Sequence, residues 1–114
     1  MEKRVVITGL GAVTPVGIGK DAFYEALLAG KSGIGPITHF DASEYATRIA
    51  GEVKDFDITQ YGVEKKESRR MDRSSQFAIA AAVLALRDSN LDLDKEDRDR
   101  CGTVVGTGIG GIDS

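Results

Sequence analysis

The residues best placed to do chemistry lie in the stretch CGTVVGTGIGGIDS, positions 101–114. Gly106, Gly108 and Gly111 stand at the spacing G-x-G-x-x-G, the turn that offers backbone N–H groups to a dinucleotide pyrophosphate. An earlier stretch, GLGAVTPVG at 9–17, begins the same way. There Thr14 stands where the third glycine belongs, and Pro15 removes an N–H where the phosphate-binding helix should supply one. The acid that grips a ribose about twenty positions on is missing, because that region reads GKSGIG. The second turn keeps all three glycines but is followed by neither the helix nor the ribose-gripping acid at its distance. Both turns have the glycine spacing without its supporting chemistry.

Cys101 is the only thiol and His39 the only imidazole, so a Cys–His nucleophilic pair is formally available. Cys101, however, opens a run of small apolar residues, where a buried thiol behaves as a small hydrophobe and reacts slowly. His39 sits in a turn-rich surface stretch beside Phe40 and Asp41. One histidine and one cysteine cannot close a zinc site, and no metal or cofactor is implied. A third feature is the basic cluster Lys65, Lys66, Arg69, Arg70 and Arg73, partly neutralised by Glu64, Glu67 and Asp72. Spacings of three and four can align Lys66, Arg69, Arg70 and Arg73 on one helical face. Such a face is either simply solvated or a patch for an acidic partner.

Elements must position these groups. Val5 to Thr8 are β-branched and run into glycine, which predicts a buried strand ending in a tight loop. KDAFYEALLAGKSG predicts a helix with Ala22, Phe23, Ala26 and Leu27 on one face and Gly30 as its cap. SGIGPITHFDASEY is rich in turn formers and reads as irregular, while Ile49 and Val53 suggest a short strand or edge. TQYGVEKKESRRMDR is expected to be helical in part. SSQFAIAAAVLALRDSN predicts a helix apolar nearly all round, with both sides covered and alanines that permit close backbone approach. Asp94 is expected to cap a short charged turn reaching Arg100, before a second buried strand in CGTVVGTG.

Strands alternating with helices make an α/β layered fold. Two or three strands leave a small sheet with open edges, so the chain is expected to be the front part of a longer protein, with no internal domain boundary in 1–114. A net charge of −3 argues against general nucleic-acid binding. The longest apolar stretch, 77–86, is too short for a membrane span, and the start lacks the apolar core of a signal peptide. A single cysteine suits a reducing compartment, hence a cytoplasmic location.

RVVITGLGAVTPVG, LLAGKSGIGPITHFD, KKESRRMDR and VGTGIGG together resemble, in that order, the β-ketoacyl-acyl-carrier-protein synthases, most of all the type II elongating enzymes. The resemblance implies a thiolase-like fold of αβαβα layers, of which this chain is the first part of the N-terminal half, usually in a homodimer. It implies a decarboxylative Claisen condensation between an acyl group on a cysteine and malonyl on acyl carrier protein. The nucleophilic cysteine and two catalytic histidines of the family lie downstream of GTGIGG, so Cys101 and His39 are not among them and the chain alone is expected to be inactive. Lys66, Arg69 and Arg70 match positions that meet the carrier protein. GTGIGG matches a loop beside the acyl pocket, with Ile109, next to Gly108, as a gate. A polyketide-type ketosynthase shares these motifs; from other classes, a nucleotide-binding or carrier-binding module without catalysis remains open.

Overall fold

The computed structural model describes residues 2–111, which gather into two compact units: residues 12–57, and residues 2–11 together with 58–111. The first unit opens with β1 (Val13–Thr14) and β2 (Gly17–Ile18), antiparallel with Val13 opposite Ile18 and Thr14 opposite Gly17. Pro15 and Val16 turn the chain, and proline's fixed φ suits the first turn position. The Thr14 hydroxyl closes the turn, donating to Gly17 O at 2.7 Å and accepting from Gly17 N at 3.1 Å. The first glycine stretch therefore makes a hairpin where a phosphate-binding turn would need a helix.

Helix α1 (Lys20–Leu28) starts after Gly19, whose φ of 92° favours glycine. It buries Ala26 and half-buries Phe23, whereas Ala22 and Leu27, expected on the same covered face, are exposed. Its end is the glycine cap read from sequence. Gly30, at φ 69°, donates to Leu27 O at 3.1 Å and Lys31 N donates to Ala26 O at 3.0 Å. Strand β3 (Ile34–Pro36) then pairs antiparallel with β4 (Ile49–Gly51), Ile34 facing Gly51 and Pro36 facing Ile49. The strand expected around Ile49 thus forms in short version, with a partner inside the stretch read as irregular. Pro36 is tolerated because it ends a strand of a two-stranded sheet.

In the second unit a 3₁₀ turn (Ile58–Tyr61), with Ile58 buried, leads to the one-turn helix α2 (Lys65–Ser68) and the long helix α3 (Arg73–Ser89). Asp72 caps α3 by accepting from Ser75 N at 2.7 Å. Asn90, left-handed at φ 56°, ends it. The alanine surface of α3 receives the chain's N-terminal glycines. A Cβ on Gly11 would overlap Ala81 O and lie 2.7 Å from Ala85 N; one on Gly9 would lie 2.7 Å from Ser89 N. Leu10 N donates to Asp88 Oδ2 at 2.9 Å between these two contacts.

Several expectations need correction. Neither 4–8 nor 101–108 forms a strand: among the described residues no ladder partner reaches them, and Val5 and Val104 are 96% and 100% exposed. β-branched residues favour a strand only where a neighbouring strand completes it. Helix α3 is not covered all round, since Ala80 alone is buried while Ala82 and Leu86 face solvent. The turn expected from Asp94 is two 3₁₀ turns, Leu93–Lys95 and Arg98–Arg100, capped by Asp92 and Asp97; Asp94 instead pairs with Arg98. Cys101 is exposed, its thiol 3.5 Å from Asp97 O, so the buried-thiol reading fails with the strand it rested on. No helix among the described residues is long and apolar enough to cross a membrane.

Gly11→Ala is expected to destabilise the protein by about 1–3 kcal/mol, the scale of overpacking, in urea denaturation. Gly35→Ala, whose Cβ would meet nothing within 4 Å, should stay within about 0.5 kcal/mol. Equal losses for the two would contradict the tight glycine contact. In the 114-residue chain, Cys101 is expected to react with a maleimide as fast in native as in denatured protein; marked native protection would contradict its exposure.

Candidate functional site

The basic cluster is divided by the fold. Helix α2 lasts a single turn, then Asp72 takes an extended backbone and α3 begins at Arg73. Lys66, Arg69 and Arg70 stay together on the short segment, all exposed. Arg73 belongs to the other helix, its guanidinium 4.9 Å from the centre of the Phe77 ring. The continuous basic face expected from the spacing therefore breaks after Arg70. Lys66 and Arg70 line an open pocket of about 280 Å³ with Glu64 and Glu67, and Arg69 stands outside its lining.

This strip is held from beneath. Ser68 Oγ donates to Lys65 O at 2.7 Å, and Arg70 N donates to Glu67 O at 2.9 Å. From α3, the Gln76 amide donates to Ser68 O at 3.2 Å and to Met71 O at 3.4 Å. The backbone below the three cations is thereby fastened to the first turn of the long helix. Their side chains are exposed.

The second glycine turn divides its glycines by task. Gly110 takes φ 76° and its N–H donates to Thr107 Oγ1 at 3.1 Å, closing a turn with Ile109 near its tip. Ile109 is 76% exposed, and a Cβ on Gly106 or Gly108 would meet nothing within 4 Å. At Gly111 a Cβ would overlap the Asp72 carboxylate and lie 2.6 Å from Asp72 Cβ. The motif's last glycine is therefore needed for a close approach to the cap of α3. Hydrogen bonds from Ser75 foremost, and from Ser74, hold the Asp72 carboxyl below its usual range. It is ionised at neutral pH and firmly placed.

Asp72 escaped the sequence reading, which began the helix at Ser74 and counted Asp72 only as a charge opposing the arginines. An acid three residues before Ser75, just ahead of an apolar helical run, was the available signal. His39 has a local structural role: Nε2 lies 3.1 Å from Glu52 Oε2. The same carboxylate accepts from Thr38 N, Thr38 Oγ1 and His39 N. Desolvation pushes the Glu52 carboxyl up, but the bonds from Thr38 and His39 outweigh it and leave the group below its ordinary value. Among the described residues no group of three or more His, Cys, Asp or Glu could hold a metal ion.

The family model described as "Beta-ketoacyl synthase, N-terminal domain" matches residues 2–114. The chain is 50% identical over 111 residues to the 3-oxoacyl-[acyl-carrier-protein] synthase 2 of Synechocystis sp., covering 97% of this chain and 26% of the relative. It is 49% identical over 112 residues to the enzyme of the same name from Vibrio harveyi, covering 98% and 27%. Thus it spans about a quarter of the length of these curated relatives. Among solved structures, the ishigamide ketosynthase/chain length factor is similar with a TM-score of 0.68 at 36% identity, covering 78% of this chain and 22% of that one. A type II PKS acyl-carrier protein in complex with its ketosynthase bound to the hexaketide gives 0.66 at 32%, covering 88% and 26%. These likenesses join the α/β elements here to a ketosynthase-like fold. The chain belongs to the β-ketoacyl synthase family, within its N-terminal domain.

Proposed function

We propose that this chain forms part of a fatty-acid-elongating β-ketoacyl-acyl-carrier-protein synthase, contributing carrier-docking and pocket-lining surface to a reaction whose nucleophile lies elsewhere. In that reaction an acyl group, held as a thioester on a cysteine, is attacked by the carbanion left when malonyl carrier protein loses carbon dioxide. A β-ketoacyl carrier protein, longer by one two-carbon unit, is released. In this reading residues 1–114 are a portion of one domain of αβαβα layers, in a cytoplasmic homodimer that needs no metal or cofactor. The unbroken family match over residues 2–114 supports the single domain.

One observation carries the reading: the exposed Lys66, Arg69 and Arg70 on a backbone fastened to α3. Three cations on a fixed base suit an acidic helix, and charges of this kind act on association rate and salt dependence. The names of the relatives, which specify the acyl carrier protein, support that partner. Identities of 50% and 49% to two 3-oxoacyl-[acyl-carrier-protein] synthases, against 36% and 32% to the two solved structures, favour fatty-acid over polyketide elongation. Ile109, exposed on a turn closed by Thr107, fits a side chain that fills an acyl pocket when empty and swings aside for an incoming chain. Displacing such a side chain is worth roughly 1.5–3 kcal/mol, which is enough to set chain-length preference.

In the full-length enzyme, Arg69→Glu combined with Arg70→Glu is expected to slow acyl transfer from carrier protein while sparing transfer from a small acyl thioester. Equal loss with both donors would sink the docking role. Ile109→Phe is expected to exclude medium and long acyl chains, by about tenfold or more on the scale of a buried side chain, and to spare the shortest primers. Unchanged loading of long chains would make Ile109 a packing residue.

A further inference from the structure

The Asp72 carboxylate stands where three parts of the second unit meet. It caps α3 through Ser75 N at 2.7 Å and takes the Ser74 hydroxyl at 3.0 Å. It also fills the space where a side chain at 111 would lie. One turn further along α3, the Gln76 amide holds Ser68 O and Met71 O of the basic strip, while Gln76 N donates back to Asp72 O at 3.1 Å. The cap therefore fixes the start of α3, the base of the strip and the end of the glycine turn within one small cluster.

Contacts of the glycine turn lie on either side of Gly110. Inside the turn, Gly110 N bonds to Thr107 Oγ1; outside it, Gly111 rests against Asp72. The first restraint travels with the turn. The second sets the turn close against the start of a helix, so it bears on where Ile109 sits. A side chain at 111 could enter only by expelling the carboxylate from the cap, because Ser74 and Ser75 already hold it.

We infer that Asp72 is a positioning residue for chain-length selection: by seating Gly111 against the α3 cap it sets the resting place of Ile109. The inference rests on the gate reading of Ile109 given above. Asp72 touches no substrate and acts through the turn. Removing its carboxylate frees the turn, so Ile109 yields more easily and long chains gain relative to short ones. Asparagine keeps an acceptor for Ser75 N, so it preserves both the cap and the seat.

The test is the ratio of long- to short-chain acyl loading in the full-length synthase, read by intact mass with acyl carrier protein donors of two lengths. Asp72→Ala and Gly111→Ala are each expected to raise that ratio about fivefold or more, the scale of losing a helix cap, and Asp72→Asn to leave it near wild type. Gly111→Ala keeps the aspartate itself, so the proposal stays testable if Asp72→Ala fails to fold. Ile109→Ala supplies the control for the gate. In an Ile109→Ala background, Asp72→Ala should add nothing further to the ratio, since a residue acting through Ile109 is silent without it. A ratio unmoved by Asp72→Ala and Gly111→Ala, but moved by Ile109→Ala, would overturn the inference and leave the gate standing. A ratio unmoved by Ile109→Ala would overturn the gate and the inference together. A parallel fall for both chain lengths in Gly111→Ala would reduce the contact to ordinary packing and also overturn it.

Discussion

The close approach of Gly9 and Gly11 to the back of α3 is the contact on which the second unit depends. Backbone can lie against Ala81, Ala85 and Ser89 only if neither side carries a large group. Leu10 N reaches Asp88 between the two contacts, so its polar group is satisfied where the chains meet. Once the N-terminal segment is fixed to α3, the other features follow from the same helix. Its first turn holds the basic strip through Gln76, and its cap lies against the glycine turn at Gly111. A single helix thus provides the reference frame for both candidate functional surfaces.

Residues that act through local chemistry were legible in the sequence. Gly30 announced the end of α1, and the alanines of α3 announced a close neighbour. What stayed hidden depends on partners distant in sequence. Val5 to Thr8 look like a strand by composition, but a strand is made by its ladder, and no described residue supplies one. The short pairing of β3 with β4 was obscured because Gly35 and Pro36 carry turn chemistry in any local reading. Counting charges at helical spacing put Arg73 with Arg70, although an aspartate able to cap a new helix stood between them. In the candidate site, Lys66, Arg69 and Arg70 stood out by charge and spacing and Ile109 by resemblance; Asp72, which adjoins the glycine turn, was read only as a charge, although its place just ahead of the helix was the signal of a cap.

The acidic surplus of the chain conceals this division of labour. Asp41, Asp72, Asp92 and Asp97 each accept a backbone N–H two or three residues onward, and three of them begin a helix or 3₁₀ turn. Glu52 gathers the donors of Thr38 and His39. These carboxylates satisfy the chain's own orphan donors, and their charge is engaged locally. Lys66, Arg69 and Arg70 stay exposed, so a protein of net charge −3 still presents a cationic strip. Net charge describes solubility and long-range repulsion; at the scale of docking, arrangement outweighs the total.

The exposed valines have a consequence of another kind. Val5, Val6, Ile7, Val104 and Val105 stand in two apolar rows that enter no ladder among the described residues. Apolar, β-prone segments with unused backbone donors and acceptors are templates on which foreign strands grow. In the 114-residue chain taken alone, those two rows are therefore where pairing with a foreign strand meets the least obstruction.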